Sequence, residues 1–117
     1  MSKVKIACVQ MLCSADRMEN IAKAEKSVCA AAQNGANIIL LPELFERRYF
    51  CQERRYDYYE YAESVEDNLA VQRLQKLSAE LNVVLPVSFY EKDGNVFYNS
   101  AAMLDGGKLL GVYRKTH

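Results

Sequence analysis

The sequence predicts an α/β fold built on one mixed sheet, with two helices on one of its faces. Three observations carry that expectation. Residues 38–41 form an unbroken aliphatic run, Ile38-Ile39-Leu40-Leu41, as in a strand covered on both faces. A strand pattern precedes this run and a helical pattern lies between, joined by short links, which favours a parallel strand–helix–strand unit. Near the C-terminus, Asp93-Gly94 and Asp105-Gly106-Gly107 punctuate three apolar stretches, and Asp-Gly pairs between such stretches signal antiparallel hairpins.

The elements follow in order. "VKIACVQM" (4–11) reads as a first buried strand, with Ile6, Cys8 and Gln10 on one face. Asp16 can cap a helix, and Glu19 three residues on completes a capping-box pattern. From Arg17 to Asn34 the apolar residues Ile21, Ala24, Val28, Ala31 and Ala32 recur at helical spacing. Gly35 then supplies a left-handed C-terminal cap. The aliphatic strand follows and ends at Pro42. Residues 46–64 are irregular, rich in tyrosine and charge, and fit a loop over a pocket or a partly helical lid. A helix over 68–82 carries Ala70, Leu74, Leu77 and Leu81 on one stripe. Strands are expected over 83–91, 96–104 and 109–113. No repeat, low-complexity tract or linker interrupts the chain, so it reads as one domain. Two helices cannot cover both faces of such a sheet, so another subunit or further sequence is expected to cover the second.

Composition removes several functional classes. Fifteen basic and fifteen acidic residues cancel, which disfavours a nucleic-acid or anionic-membrane surface. In the aromatic stretch 46–64, four arginines face five acids, so RNA stacking is not favoured there either. No apolar run approaches the roughly 18 residues needed to span a bilayer, and no signal-type apolar region follows the N-terminus. The four cysteines, Cys8, Cys13, Cys29 and Cys51, form no C-x-x-C pair, and the single histidine is His117. No metal or cofactor is therefore expected, and the thiols are read as reduced in a cytoplasmic protein. Neither helix opens with a glycine-rich loop, so a phosphate or nucleotide binder is disfavoured.

In open α/β sheets, active sites gather at the carboxyl ends of strands. Glu43 stands there, two residues past Leu41. Desolvation by its aliphatic neighbours would raise its pKa toward neutrality and suit it to general-base work, although a solvated loop glutamate would look the same in sequence. Lys115 follows another strand end and could stabilise an oxyanion, or be a surface lysine. His117 could tune the same site or be solvated. The residues alone thus offer a base and a cation, with no nucleophile.

"GANIILLPELF" followed by "GVYRKTH" resembles the nitrilase superfamily of carbon–nitrogen hydrolases, and the likeness runs over essentially the whole chain. Arg47-Arg48 depart from the small or aromatic residues that the resemblance leads one to expect. The resemblance implies that Glu43 is the general base, that Lys115 stabilises the tetrahedral intermediate and that His117 is site-adjacent. It implies a cysteine nucleophile at a strand–helix elbow further along. None of Cys8, Cys13, Cys29 and Cys51 matches that position. The chain is therefore expected to be the N-terminal part of one carbon–nitrogen hydrolase domain, truncated before the nucleophile and inactive alone. The fold it implies is half of a four-layer αββα sandwich, with one sheet face left apolar and bare. The implied substrate is a small carbamoyl or amide compound, without cofactor, and the full-length form is expected to be a homo-oligomer. The alternative is a short non-catalytic binding or regulatory subunit that docks on full-length relatives through its bare sheet.

Overall fold

A computed structural model describes residues 3–14, 16–43, 45 and 63–115. The elements run β1 (Ile6–Cys8), α1 (Arg17–Gln33), β2 (Ile38–Leu40), α2 (Leu69–Leu81), β3 (Val84–Asp93), β4 (Val96–Asp105) and β5 (Lys108–Arg114). The strands form one sheet in the order β1-β2-β3-β4-β5. The β1–β2 and β2–β3 pairs are parallel, and the β3–β4 and β4–β5 pairs are antiparallel. The mixed α/β sheet of the sequence expectation is therefore present.

Local chemistry sets the helix ends. The Asp16 carboxylate accepts from the backbone N–H of Met18 (2.9 Å) and Glu19 (3.3 Å) and so starts α1. The reciprocal arm of the expected capping box goes elsewhere: Ser14 Oγ accepts the Asp16 N–H at 3.2 Å, and Glu19 pairs with Lys23 one turn on. At the other end Gly35 takes φ +89°. Its N–H donates to Ala32 O and that of Ala36 to Ala31 O, the two bonds of a Schellman cap. In α2, Asn68 caps the N-terminus through Val71 N–H, and Asn82 takes the left-handed conformation (φ 52°) at the C-terminus without a glycine.

The strand expected over 4–11 is shorter, because its partner is. β2 stops at Leu40, and Pro42 has no N–H with which to extend a ladder. One further bond, Val9 N–H to Leu40 O, marks the end of that pairing. Strands β3 and β4 are each longer than expected, since the two-residue loop at Gly94-Asn95 lets Asp93 pair directly with Val96. Gly94 carries the positive φ of 61° that the first loop position demands.

Both helices pack on one face. Ile21, Ala24 and Val28 of α1 and Ala70, Val71 and Leu74 of α2 bury against Ile39, Leu85, Val87, Phe89, Ala102 and Leu104. Phe45 joins this core and anchors the chain just past Glu43. The opposite face is left uncovered by the described residues. There Ile6 is 60% and Tyr113 66% exposed, and Leu40 is also exposed. Residues 46–62 of the aromatic stretch, with Arg47, Arg48 and Cys51, lie outside the described residues, as does His117.

Candidate active site

Glu43 lies in the turn that follows β2, and Lys115 directly follows β5. Both are thus at the ends of strands that are distant in sequence, and the fold brings them together. Lys115 Nζ donates to Glu43 Oε1 at 3.1 Å. The same oxygen accepts from the Asn99 side-chain amide at 2.5 Å. The Asn99 carbonyl, in turn, accepts the backbone N–H of Lys115 at 2.8 Å. Asn99 therefore touches Glu43 with its side chain and Lys115 with its main chain.

Strand alternation explains why these groups share a face. Asn99 and Ala101 are two apart on β4, opposite Tyr90 and Ser88, and Ala101 pairs with Tyr113. All point away from the helix-covered core. Ser88, Asn99, Ala101 and Tyr113, with Glu43 and Lys115, line an open cavity of about 410 Å³ on the uncovered face. Glu43 differs from the sequence expectation in one respect. Its side chain is 46% exposed among the described residues, and its Oε1 faces the Lys115 ammonium.

The arrangement can hold a carboxylate ready to accept a proton and place a cation and an amide beside it. Among the described residues no cysteine lines the cavity. Cys8 lies on β1, and Cys13 and Cys29 are half-buried elsewhere. Burial pushes the Cys13 thiol up despite the nearby Lys23 ammonium, which keeps it in the unreactive protonated form. No group of His, Cys, Asp and Glu side chains among the described residues could hold a metal ion. No described helix is long and apolar enough to cross a membrane.

Sequence reasoning singled out Glu43 and Lys115 but missed Asn99. A signal was present: asparagine is disfavoured within strands, yet it sits in the middle of "FYNSAAML".

The carbon-nitrogen hydrolase family model matches residues 5–117. An N-carbamoylputrescine amidase of Oryza sativa is 47% identical over 99% of this chain and 39% of its own length. A citrullinase of Francisella tularensis is 43% identical over 100% of this chain and 41% of its own length. Among solved structures, a carbon-nitrogen hydrolase from Helicobacter pylori superposes with a TM-score of 0.84 at 27% identity, over 97% of this chain and 40% of the other. Saccharomyces cerevisiae Nit3, a nitrilase-superfamily member, gives 0.82 at 25% identity, over 97% and 44%. The chain thus spans about two fifths of the relatives it matches, and over that span it belongs to the carbon–nitrogen hydrolase family.

Proposed function

We propose that this chain supplies the general base and the oxyanion-stabilising cation of an amidase that hydrolyses N-carbamoylputrescine to putrescine, carbon dioxide and ammonia, a step toward polyamines. The observation that carries this is the Glu43–Lys115 contact at 3.1 Å in one open cavity. The similarity to N-carbamoylputrescine amidases supports the substrate. The nucleophilic cysteine would belong to sequence beyond residue 117, and the chain alone would be inactive.

In that mechanism Glu43 takes the proton of the cysteine thiol, and the thiolate attacks the carbamoyl carbon. A C–S bond forms and the C=O electron pair moves onto oxygen. Lys115, held beside Glu43, stabilises that oxyanion. The leaving amine departs with the proton from Glu43. Glu43 then deprotonates a water molecule, which attacks the thioester carbon; the carbon–sulfur bond breaks, the sulfur takes the proton back from Glu43, and the carbamic acid released breaks down to carbon dioxide and the second amine. Asn99 keeps the carboxylate oriented through these proton transfers. His117 would stand beside this site. The bare sheet face would be covered by a second sheet of the same domain, and a cytoplasmic homo-oligomer is the assembly proposed for the full-length form.

Ammonia release by the complete protein, measured with N-carbamoylputrescine and with citrulline, tests the substrate. A higher kcat/KM for N-carbamoylputrescine is expected. A preference for citrulline would move the assignment to the activity named for the Francisella relative. A second reading, a non-catalytic subunit that docks on full-length relatives, draws on the exposed apolar face with Ile6 and Tyr113. Copurification of the isolated chain with an active relative, without activity of its own, would favour it.

A further inference from the structure

Glu91 is a nearly buried carboxylate that the chemistry above leaves unused. It sits on the helix-covered face of β3 at 6% exposure. Its Oε1 accepts from Ser100 Oγ (2.8 Å) and from Arg114 Nε (2.9 Å), and its Oε2 accepts from Arg114 Nη2 at 3.2 Å. Arg114 Nη2 also donates to Asp93 at 2.7 Å, and the guanidinium carbon lies 4.0 Å from the centre of the Tyr98 ring. The guanidinium fork is planar and rigid, so this two-pronged grip fixes orientation as well as charge. Hydrogen bonds to both carboxylate oxygens offset the cost of burying the charge.

The place of this cluster in the fold gives it a consequence for the site. Arg114 immediately precedes Lys115, and successive residues of a strand project to opposite faces. Arg114 points to the covered face and Lys115 to the cavity. Ser100 and Arg114 are paired across β4 and β5, and the next rung is the bond from Lys115 N–H to Asn99 O. β5 is an edge of the sheet formed by the described residues, and the Lys115 side chain is 49% exposed among them. The Arg114 grip acts on the adjacent residue. The cluster is also tied to the helical layer: Glu63 brackets Glu91 by bonds to Tyr90 O and from Lys92 N–H, and its carboxylate pairs with Arg17 at the start of α1.

We propose that the Glu91–Arg114 pair, braced by Ser100, is a positioning device that sets the placement of the Lys115 ammonium against Glu43. It touches no substrate and acts on the reaction through Lys115. The inference rests on Lys115 being the oxyanion-stabilising cation proposed above.

The test uses Arg114→Lys, which keeps the charge but loses the fork, and Glu91→Gln, which keeps the shape but loses the charge, in the complete protein. At a temperature well below unfolding, each should lower kcat by about 10- to 100-fold with KM within about twofold, since small misplacements of a reacting group act on the transition state. The double variant should be no slower than the slower single variant, because both changes disable one device. Arg73→Lys, which weakens the Arg73–Glu25 pair between α1 and α2, serves as a control and should leave kcat unchanged. A second readout is the rate of Lys115 acetylation by limiting acetic anhydride, followed by peptide mass spectrometry. It should change severalfold in Arg114→Lys, with Lys26 and Lys76 unaffected. Wild-type kcat in both variants of an active enzyme would overturn the positioning role and leave the proposed function standing. If the wild-type protein hydrolyses no carbamoyl or amide compound, the functional reading fails. The Lys115 acetylation rate then decides alone, and an unchanged rate overturns the device.

Discussion

Consider Gly107→Ala in the β4–β5 loop. Gly107 has φ +91°, and a Cβ placed there would lie 2.7 Å from Ala79 Cβ and 3.4 Å from Ala79 Cα on α2. Ala79 has no flexible end to swing aside, so the hairpin and α2 must move apart. That movement strains two bonds that fasten the loop to the helix: Gln75 Nε2 to Gly107 O (2.9 Å), and Gly107 N–H to Ser78 Oγ (3.2 Å). Left-handed strain costs about 1–2 kcal/mol, and the overlap with weakened bonds adds about 2–3 kcal/mol, for a total of about 3–5 kcal/mol. Gly94→Ala is the internal comparison, because Gly94 is also left-handed (φ +61°) but nothing lies within 4 Å of its added Cβ. Only the strain of about 1–2 kcal/mol applies there. Urea unfolding followed by circular dichroism should separate the two midpoints by about 1 M, at an unchanged slope. Equal midpoints for the two variants would refute the close packing of the loop on α2.

Other predictions follow from the same structure. Asp16→Ala removes the acceptor for two α1 N–H groups and should cost about 1 kcal/mol in unfolding free energy. Leu74→Ala, at a fully buried position of α2, should cost about 2–5 kcal/mol, read by the same urea titration. The Arg114 hydrogen bonds hold the Glu91 carboxyl below its ordinary value of 4.5, aided by Ser100 and opposed by burial. Its folded-state pKa is depressed, so its contribution to stability is fully present above pH 4.5 and is lost as the pH falls through the depressed value. Glu91→Gln should therefore flatten the acid limb of stability against pH; an identical limb in the variant would contradict that linkage.

Much of the fold was legible because local signals agreed with one another. Asp16, Gly35 and the spacing of Ile21, Ala24 and Val28 fix α1 before any packing is known, and the Asp-Gly pairs fix the hairpins. Strand lengths were less legible, since they depend on the partner: β1 is short because β2 ends near Pro42. The capping box misled because Ser14, not Glu19, satisfies the Asp16 N–H. At the site, Glu43 and Lys115 stood out by position at strand ends, but their contact spans most of the chain and needs the sheet order to be known. Asn99 and the Glu91–Arg114 grip are products of cross-strand register, which the one-dimensional pattern does not display. The exposure of Glu43 follows from the uncovered face, which depends on what packs against that face.

The most direct test of the central claim is the rate of ammonia release from N-carbamoylputrescine by the complete protein carrying Glu43→Gln or Lys115→Ala, each confirmed folded by circular dichroism. The account predicts that each variant loses about 10²- to 10⁴-fold in kcat, as expected for the removal of a general base or an oxyanion-stabilising group. A rate near wild type in either folded variant would contradict the assignment of Glu43 and Lys115 as the base and the cation of this site.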